Sequence, residues 1–366
     1  MTSTERIELS SAVAHLLQDL APIDSVESAS STADGYDRTL WSKLAEYGFI
    51  GLLIPESFGG GGAALADAIL VAIELGRLLV PGPYVTSAVE SSSLLAQAGD
   101  NEACASLLEA LAEGTAIAAV LDEVAVRRAL QVAGDPRRGL ILNGSVPFAV
   151  GADRADVLLV PLTLDDDTTV VLNVRATDVT VVPTGLSDAT RRAATITFTD
   201  LHVPAADVLL SGPRARAAVD LSHARLAVAL AADSAGGAAA SLALATEYAK
   251  TRHQFGRAIG SFQAIKHKLA DMYIGADSAL AMATQAAEML DTNPEHAYKA
   301  VLAAAAHCTA AYVSIAGDAI QIHGGIGFTW EHVCHRFLKR AWLNQTMLGG
   351  QRKLRLAFAD SLFAGA

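Results

Sequence analysis

Cysteine is scarce in this chain: three residues in 366, Cys104, Cys308 and Cys334. An odd number at such wide spacing is no disulfide framework and fits a reducing cytoplasm. Basic runs are missing too: no stretch of lysine or arginine exceeds two residues and the net charge is −12, so the electrostatic footprint of a nucleic-acid binder is absent. Aromatics are only 5% of the chain. The segment Met1 to Ser11 is polar and acidic and does not read as a signal peptide. The most lipid-like stretch, Leu226 to Ala245, is interrupted by Asp233 and two glycines, so it reads as a buried core helix and no membrane span is expected.

Apolar residues are 52% and charged residues 18%, which is enough for large cores and too apolar for a disordered chain. Alanine supplies much of that apolar count. It is the strongest helix former, so long helices packed through small residues are expected.

The chain is predicted to be α+β in three parts: a helical domain over 1–117, an antiparallel β domain over 118–211, and a helical bundle over 212–366. In the first part, Trp41, Leu44, Ala45 and Tyr47–Gly48 mark an amphipathic helix, and Ala64 to Val80 a second one ended by Pro81-Gly82-Pro83. Pro55 to Gly62 (PESFGGGG) reads as a turn. It does not follow a strand in a βαβ unit and lacks the Lys-Ser/Thr ending of a phosphate loop. In the second part, Val157–Val160, Thr168–Val174, Val179–Val182 and Ala194–Phe198 are strand-like runs separated by Asp, Gly and Pro. Strands grouped between helical blocks exclude the alternation of a dinucleotide fold. In the third part, Phe262, Ile265, Leu269 and Met272 recur at helical spacing after Ser261, an expected N-cap. The serine-rich patch Ser25–Thr32 reads as a mobile loop.

Two segments carry the chemistry: Tyr248–Met272 (YAKTRHQFGRAIGSFQAIKHKLADM), and Asp318–Trp330 (DAIQIHGGIGFTW) with Leu338–Ala341 (LKRA) after it. Both closely resemble the C-terminal helical domain of the acyl-CoA dehydrogenases. Pro55–Gly60 resembles that family's N-terminal loop, and Phe198–Pro204 (FTDLHVP) the end of its β domain. The resemblance implies FAD, an acyl-CoA thioester substrate, α,β-desaturation, and electron-transfer flavoprotein or a similar acceptor. It also implies that Arg252, Gln254, Phe255, Gln263, Gln321, Ile322, His323, Gly324 and Gly325 contact the adenosine and pyrophosphate of a neighbouring subunit's FAD. Those residue types suit the task. Arg252 brings a permanent charge on a planar donor fork, Phe255 an apolar ring face, and the glycines a backbone with no Cβ to keep a ligand away.

Three departures from the family pattern matter. The usual catalytic glutamate falls on Leu348 within Met347-Leu-Gly-Gly350. An alternative family position falls at Leu226 or Ala227, also apolar. The β-domain motifs that hold a subunit's own flavin are replaced by Val120-Leu-Asp-Glu123 and Val146-Pro-Phe-Ala149. The nearest carboxylate is Asp233, alone in an apolar run, and it is either partnered, protonated or a substitute base. His332, Cys334 and His335 lie close in sequence, but no second cysteine or histidine pair accompanies them, so no metal is expected. The expected protein is one subunit of a heterotetramer with a homologous dehydrogenase, resembling the actinobacterial enzymes that act on steroid-CoA thioesters. A self-sufficient homo-oligomer with an unusual base and a catalytically silent structural subunit are the alternatives.

Overall fold

Alanine-rich, proline-punctuated sequence gives helices at both ends of the chain, and the β-branched middle gives strands. In the computed structural model, which describes residues 2–99 and 102–363, the helices are α1 (Ser3–Leu20), α2 (Val26–Ser30), α3 (Arg38–Glu46), α4 (Leu65–Arg77), α5 (Ser92–Ala96), α6 (Glu102–Ala112), α7 (Glu123–Ala129), α8 (Pro213–Thr251), α9 (Gln263–Thr292), α10 (Pro294–His323), α11 (Cys334–Met347) and α12 (Gln351–Phe363). Residues 1 and 366, the outer limits of the expected domains, lie outside the described residues. A π-helix, Tyr84–Ser91, precedes α5. The strands are β1 (Ala118–Val120), β2 (Leu130–Asp135), β3 (Gly139–Val150), β4 (Val157–Thr163), β5 (Thr169–Arg175), β6 (Thr180–Thr184), β7 (Ala193–Val203) and β8 (Val208–Ser211), with a two-residue hairpin of β9 (His253–Gln254) and β10 (Arg257–Ala258).

The chain groups into two compact units that cut across its linear order. Residues 1–28, 65–80 and 227–366 form a helical unit, and residues 29–64 and 81–226 a mixed unit.

In the mixed unit, β2-β3-β7-β6 and β1-β4-β5-β8 form two four-stranded sheets, antiparallel throughout except where β1 runs parallel to β4. Leu159 and Val171 pack with Leu94, Leu108 and Val219 into one core. The β2–β3 hairpin has no counterpart among the expected strand runs. Its β2 faces are mostly exposed, and Gly134, Gly139 and Gly144 break the hydrophobic alternation. Gly144 sits at φ +134°, and a Cβ there would run into the Ala129 carbonyl.

In the helical unit, α8 packs through small residues. A Cβ on Gly76 would meet the Asp233 carbonyl, one on Gly236 the Ile73 carbonyl, and one on Gly237 the Tyr312 ring. The N-terminus of α4 is held by tertiary capping: the Leu65 and Ala66 amides donate to the two Asp291 oxygens at 2.9 Å each. Two local expectations are corrected. The N-cap of α9 is Phe262, because a 3-10 turn over Ile259–Ser261 intervenes and turns the Ser261 hydroxyl onto the Ala258 carbonyl (2.7 Å). The Ser25–Thr32 patch is largely helical: Ser25, Ser28 and Thr32 hydroxyls donate to carbonyls three residues back and stabilise the turns. By length and composition two helical stretches, Pro213–Thr251 and Pro294–Phe328, could cross a membrane, but 78% and 44% of their most apolar windows are buried within the protein.

Candidate functional site

The helical unit brings the two signature segments together. Helix α8 ends at Thr251, and the Ile259 amide donates to the Arg252 carbonyl (2.8 Å), closing the β9–β10 hairpin. At its tip Phe255 adopts φ +52° and is 92% exposed. A left-handed backbone on a bulky residue is costly, and such positions cluster at functional sites. Phe255 meets Phe262 edge-on (6.2 Å), and the Arg257 guanidinium lies 4.0 Å above the Phe262 ring. Arg252, Gln254 and Gln263 are exposed around it.

The second segment closes α10. Its C-cap, Gly324, takes φ +63° and ψ −139°, a conformation that a side chain strongly disfavours, and both it and Gly325 face open space. Gln321, Gly324 and Gly325 are exposed, whereas Ile322 and His323 are buried. The His323 side chain therefore turns inward. Its ring stacks on Tyr248, one turn before Arg252, at 4.4 Å, and its Nδ1–H donates to the Ala319 carbonyl (2.7 Å). Tyr248, Ile259, Ile320 and Ile322 share one apolar cluster, so the two segments are anchored on common ground. The surface this presents has an exposed permanent cation, amide donors, a ring face and bare glycine backbone. Those groups fit a dinucleotide's pyrophosphate and adenosine.

Asp233 and Arg340 form an ion pair at 1% and 3% exposure. Asp233 Oδ1 accepts from Arg340 Nε (3.2 Å) and Asn344 Nδ2 (2.7 Å), and Oδ2 accepts from Arg340 Nη2 (2.9 Å). Of the readings open for this carboxylate, the geometry favours the partnered one. Both oxygens are engaged, and taking a proton would break up the buried ion pair with Arg340. Of the positions where a catalytic glutamate is expected (Leu348, and Leu226 or Ala227), Leu348 and Ala227 share one neighbourhood. Both pack half-buried against a cluster of Ala305, Ala306 and Leu354, an apolar patch with no proton acceptor among its side chains.

In the mixed unit, the segments that stand where own-flavin motifs are expected are otherwise employed. Asp122 caps α7, accepting from the Ala125 amide (2.8 Å). Glu123 accepts from Arg216 Nη1 (2.7 and 2.8 Å) and from the Thr163 hydroxyl (3.0 Å). Burial raises its pKa, but those donors win and hold the carboxyl below its usual range. Phe148 lies at a register shift of β3, at φ +58°. A broad polar cleft of about 760 Å³, lined by Arg127, Asp135, Arg137 and Asp165–Asp167 among others, contains none of the sequence-predicted residues.

Sequence reasoning missed a buried carboxyl and its partly exposed imidazole neighbour in this unit. Glu90, in the π-helix, points its carboxyl at His223 Nε2 (4.0 Å). Burial, with Asp122 adding to it, pushes the Glu90 carboxyl well above the ordinary range, and burial lowers His223. An acid inside a serine-rich stretch on a segment of unremarkable hydropathy gives no signal in the sequence; π-helical geometry, often found at functional sites, supplies one only in the structure.

Along the chain, helical segments precede and follow the paired sheets, and a bared cation-and-glycine surface lies at the end of long helices, an arrangement in keeping with an oxidoreductase that handles a dinucleotide. Residues 3–115 match the acyl-CoA dehydrogenase N-terminal domain and residues 214–363 the C-terminal domain. The chain is 34% identical over 351 residues to acyl-CoA dehydrogenase IpdE2 of Mycobacterium tuberculosis, covering 96% of this chain and 95% of that one. It superposes on a chain of the ChsE4–ChsE5 complex of Mycobacterium tuberculosis with a TM-score of 0.91 at 27% identity, over 100% of this chain and 98% of that one. Butyryl-CoA dehydrogenase of Megasphaera elsdenii shares the fold, with a TM-score of 0.84 at 22% identity over 99% of each chain. The chain belongs to the acyl-CoA dehydrogenase family, oxidoreductases acting on CH–CH bonds whose members are FAD-binding flavoproteins.

Proposed function

We propose that this chain is one subunit of a heteromeric, FAD-dependent acyl-CoA dehydrogenase and completes a flavin site whose catalytic base and ring-side contacts come from a homologous partner. The observation that carries this reading is that Leu348 and Ala227 both pack on one apolar patch, while Arg252, Phe255 and Gly324 remain exposed. Removing the α-proton of a thioester needs a base, and neither position offers one. Bound FAD would supply the hydride acceptor, since no side chain can act as one. Arg252 would bind a pyrophosphate oxygen pair, Phe255 would cover the adenosine, and Gln254, Gln263 and Gln321 would donate to it. Ile322 and His323, being buried, would support that surface from beneath.

A steroid-derived acyl group is the substrate class we assign by analogy with unequal-subunit dehydrogenases, with an electron-transfer flavoprotein or similar protein as acceptor. A cytoplasmic location is consistent with three buried, free cysteines. The test is co-expression with a homologous dehydrogenase from the same source. Alone, the chain is expected to be flavin-poor or poorly soluble, and flavin content should rise on assembly. A yellow homo-oligomer with one FAD per chain, bleached by acyl-CoA at ordinary enzyme rates, would overturn the proposal in favour of a self-sufficient enzyme. An assembled complex whose flavin is indifferent to Arg252→Ala would favour a silent structural subunit.

A further inference from the structure

Three metal-ligating side chains converge where α10 ends and α11 begins. His323, the last residue of α10, His332, and Cys334, the first residue of α11, place one donor atom each within 4.8 Å of one another. The cluster differs from the sequence-adjacent trio. His335 turns away, edge-on to Trp330 (4.9 Å), while His323 enters from nine positions before His332.

The surroundings suit coordination. His323 Nδ1–H is committed to the Ala319 carbonyl (2.7 Å), which fixes the tautomer and leaves Nε2 as the free donor; Cys334 Sγ lies 3.4 Å from Nδ1 and 3.9 Å from Nε2. A ligating histidine ordinarily has its other ring nitrogen tied in this way to a carbonyl or carboxylate. The His323 ring stacks on Tyr248 and meets the His332 ring at a tilt of 47°, with centroids 4.4 Å away in each contact. His332 Nδ1 accepts a long bond from the Cys334 amide (3.2 Å), which coordination by either ring nitrogen would give up. Cys334 is buried, His323 is buried, and His332 is partly exposed, which gives an ion a route in. Tetrahedral coordination, with Zn–S near 2.3 Å and Zn–N near 2.0–2.1 Å, separates donors by roughly 3.3–3.6 Å, so donors now up to 4.8 Å apart need to close by up to about 1.2–1.5 Å.

We propose that His323, His332 and Cys334 form a binding site for a borderline-soft divalent cation, Zn²⁺ by ligand type, with the fourth position open on the His332 side. One imidazole pair and one thiolate match zinc and not the oxygen-loving magnesium or calcium. The ion would join the end of α10 to the start of α11 and fix the Gly324–Phe328 turn between them. The proposal stands whether or not the chain holds a flavin.

The experiment uses the purified full chain, chelator-treated and then exposed to Co²⁺, with excess removed by desalting. About one Co²⁺ per chain should remain, with the visible bands of tetrahedral cobalt and a thiolate-to-cobalt charge-transfer band in the near ultraviolet, and Zn²⁺ should displace it. Cys334→Ser should abolish the charge-transfer band, and His332→Gln, at a partly exposed position that tolerates replacement, should weaken Co²⁺ retention at least tenfold. Circular dichroism checks that both variants fold. No retained Co²⁺, or a spectrum indifferent to either folded variant, overturns the proposal.

Discussion

Replacing Asp233 by alanine separates a structural carboxylate from a catalytic one. The change removes three hydrogen bonds, two from Arg340 (3.2 and 2.9 Å) and one from Asn344 (2.7 Å), at a site where both charges are almost fully buried. Each charge-assisted bond contributes ~1.5–3 kcal/mol, but the larger effect is the loss of the carboxylate from a buried ion pair; breaking a buried pair on one side costs about 3–5 kcal/mol. Against a total stability of roughly 5–15 kcal/mol that loss is large, and it should lower Tm by on the order of 5–15 °C. Arg340→Met alone should be similarly harmful. The double variant Asp233→Leu/Arg340→Met should recover much of the loss, because the pair's desolvation cost disappears with the pair. Urea melts of the wild type, Asp233→Leu, Arg340→Met and the double variant measure the coupling directly. If Asp233→Ala keeps wild-type stability yet abolishes acyl-CoA oxidation in the assembled enzyme, the ion-pair argument fails and Asp233 is the base.

Arg252→Ala in the assembled complex should weaken flavin retention by roughly 10–100-fold, with little change in substrate affinity, and Arg252→Lys should fall between, keeping charge but losing the fork; flavin release on dilution measures both. Leu348→Glu places a carboxylate against Ala305, Ala306 and Leu354 and should cost roughly 1–3 kcal/mol in a urea melt. Gly236→Ala drives a methyl into the Ile73 carbonyl and should cost ~1–3 kcal/mol, whereas Gly317→Ala, helical with open space around its Cβ, should gain ~0.5–1 kcal/mol; thermal melts compare them. Because the Glu90 carboxyl titrates higher in the folded chain than its ordinary 4.5, the unfolded chain ionises first and stability falls as pH rises above that value. Glu90→Gln, facing His223 with Asp122 nearby, should therefore be more stable than wild type at pH 8, and the gain should shrink as pH approaches 4.5.

The helix–strand–helix order was legible because alanine-rich and β-branched stretches occupy different parts of the chain. The hairpin of β2 and β3 was not, since its exposed faces and glycines erase the period-two signal. The signature residues Arg252 and Gly324 could be picked from sequence, yet the inward turn of His323 depends on Tyr248, 75 positions away. Asp233 showed only that an acid sat in an apolar run. Its partners lie 107 and 111 residues on, a separation across which sequence spacing carries no information. The same holds for the cluster at Cys334: nearby histidines could be counted, but which ring faces the thiol is decided by the turn after α10.

The glycine contacts between α4 and α8 bear on how the helical unit responds to force and solvent. Where backbone meets backbone, as at Gly76 and Gly236, no rotamer change can relieve a strain, so this close-packed contact should add little to the volume decrease that drives pressure unfolding. Amides near Gly76 and Gly236 should be among the slowest in the chain to exchange with deuterium, opening only when the whole unit does. Exchange mapped under pressure should then find the last protected segment at this crossing, with the β9–β10 hairpin and its exposed Phe255 released long before.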